Sequence, residues 1–177
     1  MTHHAAIGLG ANLASLVGAP QRTLPAAIDD LSAAGQVTAR SSLYRTEPVG
    51  NAVQPPFLNA AVLLETAFDP EALLEFLLKT ERRYGRDRSR ETKKGPRTLD
   101  LDLLLMDDFV LDTPQLTLPH PSLAERRFVL TPLAEVAPSW RHPQLGKTMA
   151  ELLAELPSTG VNRAEAVQKL VEERVSP

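Results

Sequence analysis

Two periods of apolar residues alternate along the chain and divide it into elements. Ala5-Ala6-Ile7-Gly8-Leu9-Gly10 is a short apolar run ending in glycine, the pattern of a first strand. Leu24, Ala27, Ile28 and Leu31 then recur at helical spacing, and Gly35 stands just beyond them as a stop. Two strand-like segments follow, Ser41–Thr46 and Phe57–Thr66, on either side of the Pro/Gly-rich stretch from Pro48 to Pro56. Asp69-Pro70-Glu71 supplies an N-cap, a first-turn proline and a first-turn acid. Leu73, Leu74, Leu77 and Leu78 give this second helix its apolar stripe, which ends near Gly85. Leu99–Met106 is the clearest strand, and Phe128–Val136 predicts another helix. The order β-α-β-β-α-β with additional C-terminal helices predicts an α+β protein with a ferredoxin-like core, its helices packed on the sheet.

Composition bounds that picture without changing it. The 177 residues suit one ordinary domain, and 43% apolar with 23% charged residues is the balance of a chain that buries a core. Residues 1–157 are expected to form that domain, with the more polar 158–177 a tail that folds as a loosely attached helix. No run approaches the roughly 20 apolar residues of a membrane helix, and the start lacks a basic-then-apolar leader, so a cytoplasmic location is expected. With Cys at 0, thiolate nucleophiles, disulfides and Cys-type zinc sites are excluded. Charge matters more. Lys79, Arg82, Arg83, Arg86, Arg88, Arg90, Lys93, Lys94 and Arg97 fall in a window with only Glu81, Asp87 and Glu91, although the chain as a whole carries -3. Such a focus of positive charge calls for a local anion such as phosphate rather than the extended face of a duplex binder, unless it is only a solvated loop.

Two phosphate-binding patterns are partly present and fail. Gly8-Leu9-Gly10-Ala11-Asn12 follows a strand but lacks the third glycine of a dinucleotide fingerprint. Gly146-Lys147-Thr148 ends like a P-loop, but Arg141 stands where the first glycine belongs. Thr148 and Glu151 instead form a capping box that opens a helix over Met149–Leu156.

The informative segment is Gly95-Pro96-Arg97-Thr98-Leu99-Asp100-Leu101-Asp102-Leu103-Leu104-Leu105-Met106. Strand alternation puts Leu99, Leu101, Leu103 and Leu105 on one face, and Asp100, Asp102, Leu104 and Met106 on the other. The two carboxylates then lie about 6.5 to 7 Å apart at their Cα atoms. Like charges on a buried strand repel unless a cation or proton intervenes, and two Mg²⁺ ions bridging to substrate phosphates resolve the conflict. The alternative is the solvated acidic end of an edge strand. Carboxylates, metal and the neighbouring arginines together are the equipment of phosphoryl transfer.

Lys94-Gly95-Pro96-Arg97-Thr98-Leu99-Asp100-Leu101-Asp102-Leu103-Leu104 resembles the signature of the 6-hydroxymethyl-7,8-dihydropterin pyrophosphokinases of folate biosynthesis. The resemblance extends to Ile7–Leu13, Ser42–Gly50, Phe57–Val62, and Leu118–Ser122 leading to Arg126 and Phe128, in family order over nearly the whole chain. It implies an enzyme that moves diphosphate from ATP to a pterin alcohol, with ATP as co-substrate and two Mg²⁺ ions; a monomer with no nucleic-acid or membrane partner is expected. Asp100 and Asp102 would hold the metal. Arg86 and Arg88 would close over the nucleotide in a mobile loop, and with Arg97 and the two aspartates they make up the catalytic set. Glu81, an otherwise unremarkable exposed helix position, would join Arg88, Arg97, Leu103, Thr117, His120 and Arg126 at ATP. Thr46, Val49, Phe57, Asn59 and Phe128 would form the pterin pocket, the aromatic rings stacking on the bicycle and the amide matching its polar edge. The chain departs from the family at Lys93-Lys94, where Arg-Trp is common, at Pro121, which replaces a tyrosine, and at Glu47, which replaces a proline. Two rival readings are a different Mg²⁺-dependent phosphotransferase or nuclease built on the same Asp pair, and a non-catalytic ferredoxin-like binding module. The first would lack the pterin residues; the second would show exposed sheet aromatics, which this sequence does not.

Overall fold

The chain runs β1 (His3–Ala11), α1 (Pro20–Asp30), β2 (Gly35–Arg40), β3 (Tyr44–Thr46), β4 (Phe57–Thr66), α2 (Pro70–Arg83) and β5 (Asp100–Met106). It continues through β6 (Leu111–Asp112), β7 (Thr117–Leu118), α3 (Arg127–Val136), α4 (Met149–Glu155) and β8 (Val167–Lys169). This computed structural model describes residues 1–47, 53–89, 95–157 and 167–169. The main sheet has the order β5-β1-β4-β3-β8, with β2 also on β4, and all its pairings are antiparallel. With β2 and β3 acting as one interrupted strand, this is the ferredoxin-like arrangement. The short β6–β7 hairpin stands beside it.

Alternation along β1 separates two cores. Ala5, Ile7 and Leu9 face α1 and α2, where Leu24, Ile28, Leu73 and Leu77 are sealed from solvent. Each such leucine contributes about 1.5 to 3 kcal/mol of transfer free energy. Ala6 faces the other way, into a second core with Leu104, Leu130, Leu133, Met149 and Leu152 from β5, α3 and α4. The caps follow the sequence: Asp69 accepts from the Ala72 N–H at 2.8 Å, and Thr148 with Glu151 forms the full capping box.

Three corrections refine the expected order. Gly35 does stand just past the helical segment, as expected, but it also opens a strand, β2, that was not expected there. A Cβ there would lie 2.0 Å from the Glu65 carbonyl oxygen, so close strand approach excludes any larger residue. The strand expected over Ser41–Thr46 forms only at Tyr44–Thr46 (β3), and both it and β2 before it pair with β4. At the break, the Ser41 N–H donates to the Ala61 carbonyl and the Ala61 N–H to Ser41 Oγ, so a side chain replaces one ladder bond. The third correction lies in β5. Ala6 pairs Leu105 and Ile7 pairs Leu103, a bulge that leaves Leu104 extra. One extra residue reverses the alternation beyond it, so Leu105 joins the α3 core and Met106 the α1 core, opposite to strict alternation.

Of the tail, for which a helix is expected, only Val167–Lys169 is described, and it is a strand on β3. The free edge of β3 offers unpaired backbone groups that a strand, unlike a helix, can satisfy. Val49, Lys93 and Lys94 lie outside the described residues. Among the described residues no helix is long and apolar enough to cross a membrane.

Candidate active site

The face of the sheet carrying α3 also carries an open cavity of about 210 Å³, into which α3 presents Phe128 and Val129. Its floor is β1 and its neighbours. Gly8 and Gly10 line it, and neither has a positive φ. Space is what requires glycine: a Cβ on Gly8 would lie 3.2 Å from Leu104 Cδ1, and one on Gly10 3.1 Å from Asn59 Oδ1. The glycines dismissed as a dinucleotide fingerprint thus keep the floor flat.

Asp100 and Asp102 line the same cavity, on the face that strand alternation assigns them. Their environments differ. Asp100 accepts from Arg97 Nη1 at 2.9 Å and is bound by Arg86 Nη1. Burial works to raise its pKa, but the Arg86 and Arg97 guanidiniums outweigh it and hold the carboxyl below the usual range. Asp102 makes no hydrogen bond through its carboxylate among the described residues. Burial first, then the charges of Asp100 and Glu81, push it up to about 7. An uncompensated carboxylate of this kind, with hard oxygen donors beside it, fits a divalent cation. Among the described residues no group of three or more His, Asp or Glu side chains is placed to hold an ion, so a cation at the Asp pair would take its other ligands from substrate and water.

Glu81 is corrected from an exposed helix position to a buried hub, 1% exposed. Its Oε1 accepts from Arg86 Nη1 at 2.6 Å and from the Leu101 N–H at 2.8 Å, while Arg88 donates to both oxygens, at 2.8 Å to Oε2. One carboxylate therefore joins the end of α2, the basic loop and β5. Burial pushes its pKa up against the pull of the Leu101 N–H and the two arginines. Arg86 is also corrected. Rather than waiting in a mobile loop, its 4%-exposed side chain is fixed between Glu81, the Leu99 carbonyl and Asp100. Arg88 is half-exposed, and its guanidinium has a face toward solvent.

Arg97 is held from behind by a residue the sequence reading did not place in the site. Asn12, 3% exposed, accepts the Arg97 N–H at 2.8 Å and donates to Gln54 Oε1 at 3.0 Å and the Pro55 carbonyl at 2.9 Å. An Asn just beyond the last strand glycine, with both donor and acceptor to satisfy, is the signal that was available.

Thr46, Phe57, Asn59 and Phe128 all line the cavity. Asn59 Nδ2 donates to Thr46 Oγ1 at 2.7 Å, which fixes the amide orientation. The Arg126 guanidinium lies 5.7 Å from the centre of the Phe128 ring, within cation–π range. His120 sits beside β5, its N–H on the Leu104 carbonyl, and its Nδ1 accepts from the Ser122 N–H at 3.2 Å. The neutral ring therefore carries its proton on Nε2, and burial followed by the Arg126 charge lowers its pKa. Thr117 is half-buried at the start of β7. Leu103 is 3% exposed in the α1–α2 core, on the far face from the Asp pair, because β5 alternates there without interruption. Its side chain is thus withdrawn from the cavity, leaving its backbone as the part able to meet a ligand.

A family model described as 7,8-dihydro-6-hydroxymethylpterin-pyrophosphokinase (HPPK) matches residues 6–138. A Synechocystis sp. protein named 2-amino-4-hydroxy-6-hydroxymethyldihydropteridine pyrophosphokinase is 41% identical over 161 residues, covering 90% of this chain and 79% of the relative. One of the same name from Pseudomonas aeruginosa is 41% identical over 159 residues, with 89% and 94% covered. A Bacillus subtilis counterpart is 44% identical over 138 residues, with 77% and 79% covered. A solved structure of Plasmodium falciparum HPPK-DHPS shares the fold, with a TM-score of 0.69 at 16% identity over 87% of this chain, which spans 45% of that longer one.

Proposed function

The chain belongs to the 7,8-dihydro-6-hydroxymethylpterin-pyrophosphokinase family, and from that premise we propose how its cavity transfers a diphosphate from ATP to the hydroxymethyl group of 6-hydroxymethyl-7,8-dihydropterin, releasing AMP, in folate biosynthesis. The observation that carries this reading is the juxtaposition within one cavity of an aromatic and amide wall with a carboxylate and arginine side. The first suits a flat, polar-edged bicycle, the second a polyphosphate.

The pterin lies between Phe57 and Phe128, its amide-like edge on Asn59 and Thr46, with Val49 completing the pocket. Its alcohol attacks the β-phosphorus in line, and AMP is the leaving group. With Cys at 0 and Asn12, Glu81 and Arg86 spent on scaffolding, the residues contribute alignment and charge neutralisation rather than a covalent intermediate. Arg88, Arg97, His120 and Arg126 contact the phosphates, and Leu103 and Thr117 lie along the nucleotide. Asp100 and Asp102 are the residues that would hold Mg²⁺, two ions being expected, and those ions supply charge neutralisation on the phosphates when bound. Arg86 and Glu81 keep Asp100 in place for that role. We assign the activity to residues 1–157 of a cytoplasmic monomer, since two small polar substrates ask for no membrane or nucleic-acid partner.

Pterin consumption, followed by chromatography, tests the assignment. It is expected only when the protein, 6-hydroxymethyl-7,8-dihydropterin, ATP and Mg²⁺ are all present. Unchanged pterin in the complete mixture would overturn it.

A further inference from the structure

Glu135, at the opposite end of α3 from Phe128, takes three hydrogen bonds from the chain segment that leads into β3. Its Oε1 accepts from the Ser42 N–H at 3.1 Å and Ser42 Oγ at 2.9 Å, and its Oε2 accepts from the Tyr44 hydroxyl at 2.5 Å. Tyr44 is 8% exposed, and burial followed by the carboxylate pushes its hydroxyl pKa up to about 12, so it remains a donor across the physiological range. None of these residues lines the cavity.

We propose that Glu135 is a positioning residue for the pterin pocket, fixing the separation of the two elements that form its walls. This rests on the functional reading above. Phe128 and Glu135 are seven residues apart, nearly two turns, so they project from one side of α3 about 10.5 Å from each other along the axis. On β3, Tyr44 and Thr46 share a face two residues apart. The carboxylate therefore ties the two walls together behind the cavity, while Phe128 and Thr46 face each other across it. Other restraints are weak in direction. Leu130 and Leu133 hold α3 to the sheet through apolar contact with Ala61 and Leu104, which resists separation more than sliding. The helix has no side-chain N-cap bond, and the bonds that hold β3 to β4 and β8 and Thr46 to Asn59 run within the sheet and do not reach α3. By contrast, Arg97 is braced from Asn12, and Asp100 through Arg86 from Glu81, and these braces are independent of α3.

Releasing Glu135 should therefore widen the pterin site more than it disturbs the nucleotide site, where Arg126 alone of the proposed phosphate contacts adjoins α3. Steady-state turnover of Glu135→Ala, Glu135→Gln and Tyr44→Phe, with thermal melts on the same samples, tests this. In Glu135→Ala the pterin KM should rise about five- to tenfold, as expected for losing charged hydrogen bonds, with the ATP KM within about twofold. Gln retains an acceptor for Ser42 and a polar partner for Tyr44, so Glu135→Gln should restore the pterin KM to within about twofold of the unaltered chain. Tyr44→Phe removes one bond at nearly constant volume and should raise the pterin KM by about twofold to threefold, which keeps the idea testable if Glu135→Ala does not fold. Parallel rises in both KM values, or an unmoved pterin KM in Tyr44→Phe, would overturn the proposal. A failure of the functional reading looks different: the unaltered chain would not consume pterin at all, and this inference would fall with it.

Discussion

Glu81 joins three separate pieces of chain with one carboxylate, and the cost of removing it follows from its burial. Glu81→Ala would leave Arg86 charged, 4% exposed and short of one of its partners, and the Leu101 N–H without its acceptor, so we expect a loss of about 3 to 5 kcal/mol in urea unfolding, against a smaller loss for Glu81→Gln. The position was readable in one respect: Leu73, Leu77 and Glu81 recur every four residues, which puts Glu81 on the buried side of its helix. A charged letter on an apolar stripe is easily taken as the stripe's end, because only tertiary partners reveal that the charge is neutralised. The Asp pair was legible because its strand is otherwise leucine and methionine. Asp102, with no neutralising hydrogen bond among the described residues, gives the sharper prediction. In EDTA, Asp102→Asn should melt at or above the unaltered protein, since a like-charge conflict is relieved. Mg²⁺ should raise the melting temperature of the unaltered protein and not of the variant, and most turnover should disappear. An equal Mg²⁺ shift in both would remove Asp102 from the metal site.

At the scale of elements, β5 depends on its bulge and on how its end is fastened. Asp107, just past β5 with φ at 41°, accepts from the His4 N–H at 2.9 Å and pairs with His3 Nδ1 at 2.6 Å, fastening the end of β5 to the start of β1. Partial burial tends to raise its pKa, but the His4 N–H and His3 prevail and lower it. A depressed carboxyl contributes stability that is fully present above its unfolded value, near 4, and is lost as pH falls through the folded one. Asn tolerates the same backbone angle, so Asp107→Asn should cost about 0.5 to 1 kcal/mol at pH 6, modest because the pair is partly exposed, and progressively less toward pH 3. Denaturant titrations at the two pH values check this. For α3, Phe128→Ala should weaken pterin binding by about 1 to 3 kcal/mol, from aromatic stacking. ATP affinity should be unchanged; equal losses for both ligands would indicate core damage. The helices were legible because caps and stripes are local. The split of β2 from β3 and the bulge in β5 were not, because a one-residue slip in register is decided by the partner strand. Gln36-Val37-Thr38-Ala39-Arg40 does alternate, but only its partner β4 fixes it as a strand.

Across the whole molecule, helices cover both faces of one sheet, and the site is the part of the second face that α3 and α4 leave open. Glycines keep its floor flat, an acidic strand and arginines line one side, and aromatic and amide side chains line the other. The order of elements was legible from the apolar periods, and it fixed which face the Asp pair would share. The distances between walls were not, since residues 46, 59, 100 and 128 meet only through long-range pairing. The central claim is that this cavity moves two phosphoryl groups together, and ³¹P NMR of a reaction containing ATP, Mg²⁺ and 6-hydroxymethyl-7,8-dihydropterin tests it most directly. The account predicts one AMP for each pterin consumed, with a diphosphate ester bearing two coupled phosphorus resonances. ADP formed one-for-one with a pterin monophosphate would contradict it.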